Sequence, residues 1–171
     1  SFYNNAAYYV YTDAAIKNEI DGIWGGMFNN VANLNNILLQ IDDKKTIFTI
    51  KNFELIKGEA IALRAMFHFD LVRLFGAPPL TGANIKAMPY VTTFDIHATP
   101  NITVMGVLDR CIADLTEAKN LLSVTDTSAV VQGTFDPFTS YTQNHANYWA
   151  VQGLLARVYL YKGNTDSANY Y

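Results

Sequence analysis

The segment from Asn52 to Phe75 limits the possible folds more than any other. Ile56, Ala60, Leu63, Phe67, Leu71 and Leu74 recur at threes and fours and form one apolar helical face. Ala62, Met66, Phe69 and Val72 form a second face, and Glu54, Lys57, Arg64 and His68 trace a narrower polar stripe. A helix apolar on two faces has to lie between neighbours. Gly76 stands at the position a helix end favours for glycine, and Pro78 and Pro79 forbid continuation.

The neighbours are also written in period. From about Ile20 to Ile41, the residues Ile20, Trp24, Met27, Val31, Leu34, Leu38 and Ile41 make one stripe. Asn29, Asn30, Asn33, Asn35 and Asn36 fill the rest of that surface. Asparagine is a poor helix former, so this many predicts that some hold neighbouring loops through their amides. A third helix runs from about Thr103, a plausible N-cap, to Leu122, with Asp109, Asp114 and Glu117 expected on its outer surface. A fourth spans about His145–Tyr161, with Trp149 on its buried side, and Gly163 ends it. A short fifth helix, capped by Asn164 or Thr165, is cut off by the chain end, which reads as an interruption.

These elements predict an all-α domain covering residues 1–171, built of antiparallel, tetratricopeptide-like helix pairs with two long loops. The loops are Ala77–Ile102 and Ser123–Asn144. Loops of that length are commonly functional or disordered, and the second contains the aromatic and hydroxyl-rich run GTFDPFTSYTQN.

Composition removes several function classes. With a net charge of −3 there is no basic surplus to neutralise phosphates, so nucleic acid is not an expected partner. No apolar run approaches the roughly 18 residues of a membrane span, and the first residues show no basic leader or lipobox cysteine. The single cysteine, Cys111, forbids an internal disulfide and reads as a buried thiol. His68, His97 and His145 have no ligand-type spacing, so no metal or cofactor is expected, and His68 reads as a hydrogen-bonding residue on a helix surface. No nucleophile, phosphate-binding or paired-carboxylate motif stands out, so no catalytic residue is assigned. Asp13, Asp21, Asp42 and Asp43 read as solvated charge. Glu59, Arg64, Asp70 and Arg73 are expected to form an ion network within the helical scaffold.

One family resemblance is specific. The run GEAIALRAMFHFDLVRLFGAPPL, Gly58–Leu80, resembles the signature of the SusD/RagB family of Bacteroidetes outer-membrane nutrient-binding lipoproteins. Gly58, Glu59, Ala60, Leu63, Arg64, Ala65, Phe67, Phe69, Asp70, Leu71, Val72, Phe75, Gly76, Pro79 and Leu80 carry the match. VANLNNILLQI, TVMGVLDRCIADLTEAKNLL and YWAVQGLLARVYLYKGN, the last with Arg157, resemble further family helices in the same order. Family members are longer, so the chain is expected to be their N-terminal helical portion, truncated at both ends.

The resemblance implies a non-catalytic binding component of a glycan uptake system at the outer membrane. It implies docking on a SusC-like TonB-dependent transporter and membrane attachment only through a lipid anchor absent from this sequence. It places Glu59, Arg64, Asp70, Arg73 and Arg157 in the scaffold. RagB-like capture of peptides, or a helical scaffold for protein contacts with no small ligand, are the alternatives. An oligosaccharide or polysaccharide needs aromatic faces flanked by hydrogen-bonding side chains. Tyr8, Tyr9 and Tyr11 with Asn4 and Asn5 nearby, and Trp24 in the first long helix, are the expected contacts, although Trp24 also fits the core. In an extended segment Tyr9 and Tyr11 share a face, whereas in a short helix Tyr8 and Tyr11 meet and pack on the core.

Overall fold

The computed structural model describes residues 2–48, 51–125 and 144–171. In chain order it contains α1 (Phe2–Ala7), α2 (Ala14–Ile41), a 3-10 helix (Asp42–Ile47) and α3 (Asn52–Phe75). Then follow α4 (Pro79–Gly82), β1 (Lys86–Pro89), β2 (Asn101–Thr103), α5 (Val104–Leu122), a 3-10 turn (Ser123–Thr125), α6 (Tyr148–Lys162) and α7 (Thr165–Tyr170). The fold is all-α in class, with helix pairs of the tetratricopeptide type.

As its two apolar faces require, α3 lies between α2 and α5, and α6 packs chiefly on α5 while also reaching Phe69 of α3. Val104, Val107, Leu108, Cys111, Leu115, Ala118 and Leu122 of α5 all face the core. The helices α3 and α5 cross closely at Gly58, where an added Cβ would lie 2.8 Å from Leu122 Cγ. Thr103 caps α5 by accepting the Gly106 N–H at 3.1 Å. Gly163 ends α6 in the left-handed region at φ 86°, with the Asn164 N–H reaching back to the Tyr159 carbonyl. Gly76 differs from expectation: its backbone is extended, and the prolines after it end α3.

Two expectations about loops and faces change. The connection 77–102 is not structureless, because β1 and β2 pair antiparallel, Met88 opposite Ile102, and bury Met88. Trp149 and Leu160 are exposed, since α6 turns Val151, Leu154, Leu155 and Val158 inward instead. A helix apolar on all sides gives no period from which to choose the buried face. The run GTFDPFTSYTQN lies, but for Asn144, outside the described residues.

The centre of the fold is polar and fully paired. Arg64 donates from Nε and Nη2 to the two carboxylate oxygens of Asp114, at 2.8 and 2.9 Å. Its Nη1 donates to Asn35 Oδ1 at 3.1 Å, and the Asn35 amide donates to the carbonyls of Val91 and Thr93. Tyr90 Oη donates to Asp114 at 2.7 Å, and its ring stacks on His68 with centroids 3.9 Å apart. His68 Nε2 accepts the Val91 N–H, which leaves the proton on Nδ1 to be donated to the Arg64 carbonyl. Cys111 Sγ donates to the Ala65 carbonyl. Among the described residues no buried side-chain nitrogen or oxygen lacks a partner.

This cluster corrects two placements. His68 is fully buried instead of lying on the helix surface, and Asp114 turns inward from α5 instead of outward. Both find partners on other segments, which outweighs their own polarity. Burial pushes the His68 imidazole down to about 4. It also pushes the Tyr90 phenol and the Cys111 thiol well up. The asparagine expectation holds at Asn35, which is buried and ties the 91–93 segment to α2.

The expected single ion network is instead three separate contacts. Arg64 belongs to the central cluster. Glu59 accepts the Ala146 N–H at 3.0 Å and faces His145 Nδ1 at 3.1 Å, holding the approach to α6. Asp70 pairs with Arg73 one turn on. The guanidinium groups of Arg73 and the exposed Arg157 lie 5.4 and 5.9 Å from the centroid of the Phe69 ring.

Candidate functional site

The helices place a tyrosine turn at the start of the chain. The short helix α1 stops at Ala7, and the chain turns before α2 begins at Ala14. Neither of the two expected conformations occurs. The Tyr8 N–H donates to the Asn4 carbonyl, Tyr9 to Ala6, and Val10 to Asn5. Tyr9 is the one non-glycine residue with positive φ among the described residues, at 55°. That backbone carries a steric cost for a side chain, since Cβ crowds the following carbonyl.

Asp13 holds the turn in place. Its Oδ1 accepts the N–H groups of Ala15 and Ile16 as the N-cap of α2, and its Oδ2 accepts from the Asn5 amide at 2.7 Å. These hydrogen bonds, the Ile16 N–H first and the Asn5 amide next, keep its carboxyl below the usual range. Asp13 therefore acts as a cap and tie instead of a free surface charge.

Tyr8, Tyr9 and Tyr11 are 74%, 73% and 61% exposed, so none is a core residue. The rings of Tyr9 and Tyr11 lie 6.2 Å apart and tilted by 55°. The structure thus brings these two together on a pinned turn. Trp24 is elsewhere, ten residues into α2 from Ala14, or about 15 Å along the axis. It is half-buried, edge-on to Phe75 at 5.0 Å and close to Phe28 at 4.9 Å. Sequence reasoning missed a further aromatic surface. Trp149 is 61% exposed beside Tyr148, with centroids 5.3 Å apart. The signal available was its place in the first turn of α6, directly after a long loop.

Among the described residues no three His, Cys, Asp or Glu side chains gather as metal ligands. None of the described helices is long and apolar enough to cross a membrane. Buried polar groups are consumed in structural pairs, and exposed rings stand where a ligand can reach them. That combination is a helical scaffold with exposed aromatic rings.

Comparison with known proteins gives the family. A family model described as SusD-like, starch-binding and associating with the outer membrane, matches residues 2–160. The chain belongs to this family. A putative sugar-binding protein from Bacteroides vulgatus is 30% identical, with a TM-score of 0.65 over 85% of this chain and 30% of that one. A SusD superfamily protein from Bacteroides thetaiotaomicron is 26% identical, with a TM-score of 0.66 over 85% and 29%. A laminarin-binding SusD-like protein shares the fold at 20% identity and a TM-score of 0.65 over 86% and 28%. The chain therefore spans about 30% of the length of the solved relatives it matches. No curated protein matches it in sequence.

Proposed function

We propose that the protein is a non-catalytic glycan-binding component of a nutrient-uptake system at the outer-membrane surface, docked on a SusC-like TonB-dependent transporter. The observation that carries the glycan reading is the Tyr9–Tyr11 pair, exposed and held by a capped, hydrogen-bonded turn. Sugar C–H faces pack on aromatic rings, and the hydroxyls need nearby amides and carboxylates. Asn4 and Asn5 lie in the same helix–turn unit. Family membership supports the outer-membrane location and the binding role. The transporter contact rests on the family resemblance alone.

The test is the double substitution Tyr9→Ala, Tyr11→Ala in the full-length protein, measured against a glycan array that includes laminarin and starch. Affinity for the preferred glycan should fall roughly tenfold, the scale of truncating a contact aromatic. Unchanged affinity moves the site to other aromatics, Trp149 first. Reducing-end assays should show no turnover, and reproducible cleavage would overturn the binding reading.

A further inference from the structure

A second site lies on the opposite end of α2 from the tyrosine turn. A cleft of about 260 Å³ opens where α2, the 3-10 helix and α3 meet. It is just smaller than the roughly 300–1,000 Å³ typical of ligand clefts, which suits one ring and not several. Ile41, Phe48 and Ile56 supply apolar surface, and Ile41 is buried beneath. Asn36, Gln40 and Lys44 supply the polar edge, spaced four residues apart.

The polarity of that edge follows from Lys44. An ammonium can only donate, so Gln40 must present its carbonyl oxygen to Lys44 Nζ, at 3.4 Å. Its nitrogen then faces Asn36 Oδ1, at 3.0 Å. Both amide oxygens are thereby engaged. What remains for a ligand is an edge richer in donors than acceptors: the Asn36 NH₂, the second Gln40 N–H and the remaining Lys44 protons, beside one lone pair on each amide oxygen. Among the described residues no carboxylate lines the cleft, and the adjacent Asp42 is engaged by Lys57 at 2.6 and 2.9 Å.

An apolar wall with a donor-rich edge that carries the Lys44 ammonium favours a ring with an apolar face and an anionic acceptor. We infer that this cleft binds a single carboxylated sugar, a hexuronate unit, with its carboxylate at Lys44 and its ring against Phe48 and Ile56. The choice of a sugar acid over other carboxylates rests on the glycan-binding reading above.

Calorimetry on the full-length protein with glucuronate, glucose and N-acetylglutamate tests it. Glucuronate should bind about fivefold more tightly than glucose, the scale of one exposed ion pair. Lys44→Gln should erase that difference, and Gln40→Ala should weaken glucuronate binding. Both residues are exposed, so the fold is not at stake. Equal affinity for glucose and glucuronate, or no effect of Lys44→Gln, overturns the assignment. N-acetylglutamate binding as well as glucuronate shows that the ring plays no part and overturns it too. The Tyr9, Tyr11 double variant serves as the control. If it loses neutral glycan while glucuronate still depends on Lys44, the two sites are independent. If glucuronate fails while neutral glycan still depends on the tyrosines, only the cleft assignment falls.

Discussion

Two regions of this chain use the same residue types to opposite ends. In the centre, Asn35, Asp114 and Tyr90 join Arg64 and His68, and among the described residues every buried side-chain nitrogen and oxygen has a partner. At the start of the chain, Asn5, Asp13, Tyr9 and Tyr11 also form a linked unit, yet only the asparagine and aspartate are spent on structure. The tyrosine rings are left to solvent. A polar or aromatic residue becomes scaffold when its partners come from several segments at once, and becomes available surface when only its neighbours hold it.

The largest effect that tests this contrast is on Arg64. Arg64→Ala leaves Asp114 buried without its cation, which typically costs about 3–5 kcal/mol. Thermal denaturation should show a fall of roughly 10 °C. Unchanged stability would mean the central cluster is not scaffold.

Next in size is acid. An unfolded histidine takes up a proton near 6.5, whereas His68 in the fold resists until about 4. Between those values the unfolded state binds more protons, so stability falls as pH drops from 6.5 and levels off below 4. Urea titrations at pH 7 and pH 4.5 should differ by about 2–3 kcal/mol from this group. His68→Gln should flatten that part of the profile, and an unaltered slope assigns it to other groups.

Asp13→Ala should lower the thermal midpoint by a few degrees through loss of the α2 cap. Because Asp13 also ties Asn5, the same change should weaken glycan binding, which neither effect alone would explain.

Smallest is the strained position. The Tyr9→Ala, Tyr11→Ala double variant should stay within about 0.5 kcal/mol of the parent. Tyr9→Gly should exceed Tyr9→Ala in stability by about 1 kcal/mol, since glycine accepts a φ of 55° freely. Equal stability would show that the left-handed turn is not populated in solution.

The framework was largely readable from period. The helix α3 and its packing between two others follow from its two apolar faces, and α5 from one clean stripe capped by Thr103. The first turns of α2, Ala14 to Glu19, were missed because the apolar stripe was read only from Ile20, and Asp13, which caps them, was read as solvated charge. The pair β1 and β2 is too short, and too broken by Pro89, to alternate visibly. In the central cluster, Arg64 could be placed near partial burial, but its partner could not be named. Asp114 flanks the apolar stripe between Cys111 and Ala118, a position as open to an outward as to an inward reading. At the tyrosine turn the residues were legible and the backbone was not, because left-handed φ at a tyrosine has no local sequence signal.

The central cluster also bears on the order of assembly. Arg64 needs Asn35, 29 residues before it, and Asp114, 50 residues after it, and Asn35 needs the carbonyl of Val91, 56 residues away. A chain that has brought only two of these segments together holds buried charge without its full set of partners, which is worse than holding none. The cluster thus opposes half-assembled states, and it is expected to close late, after the helices have docked. Interactions absent from the folding transition state act mainly on the rate of escape from the native state. Weakening Arg64 should therefore hasten unfolding and leave the refolding rate nearly unchanged.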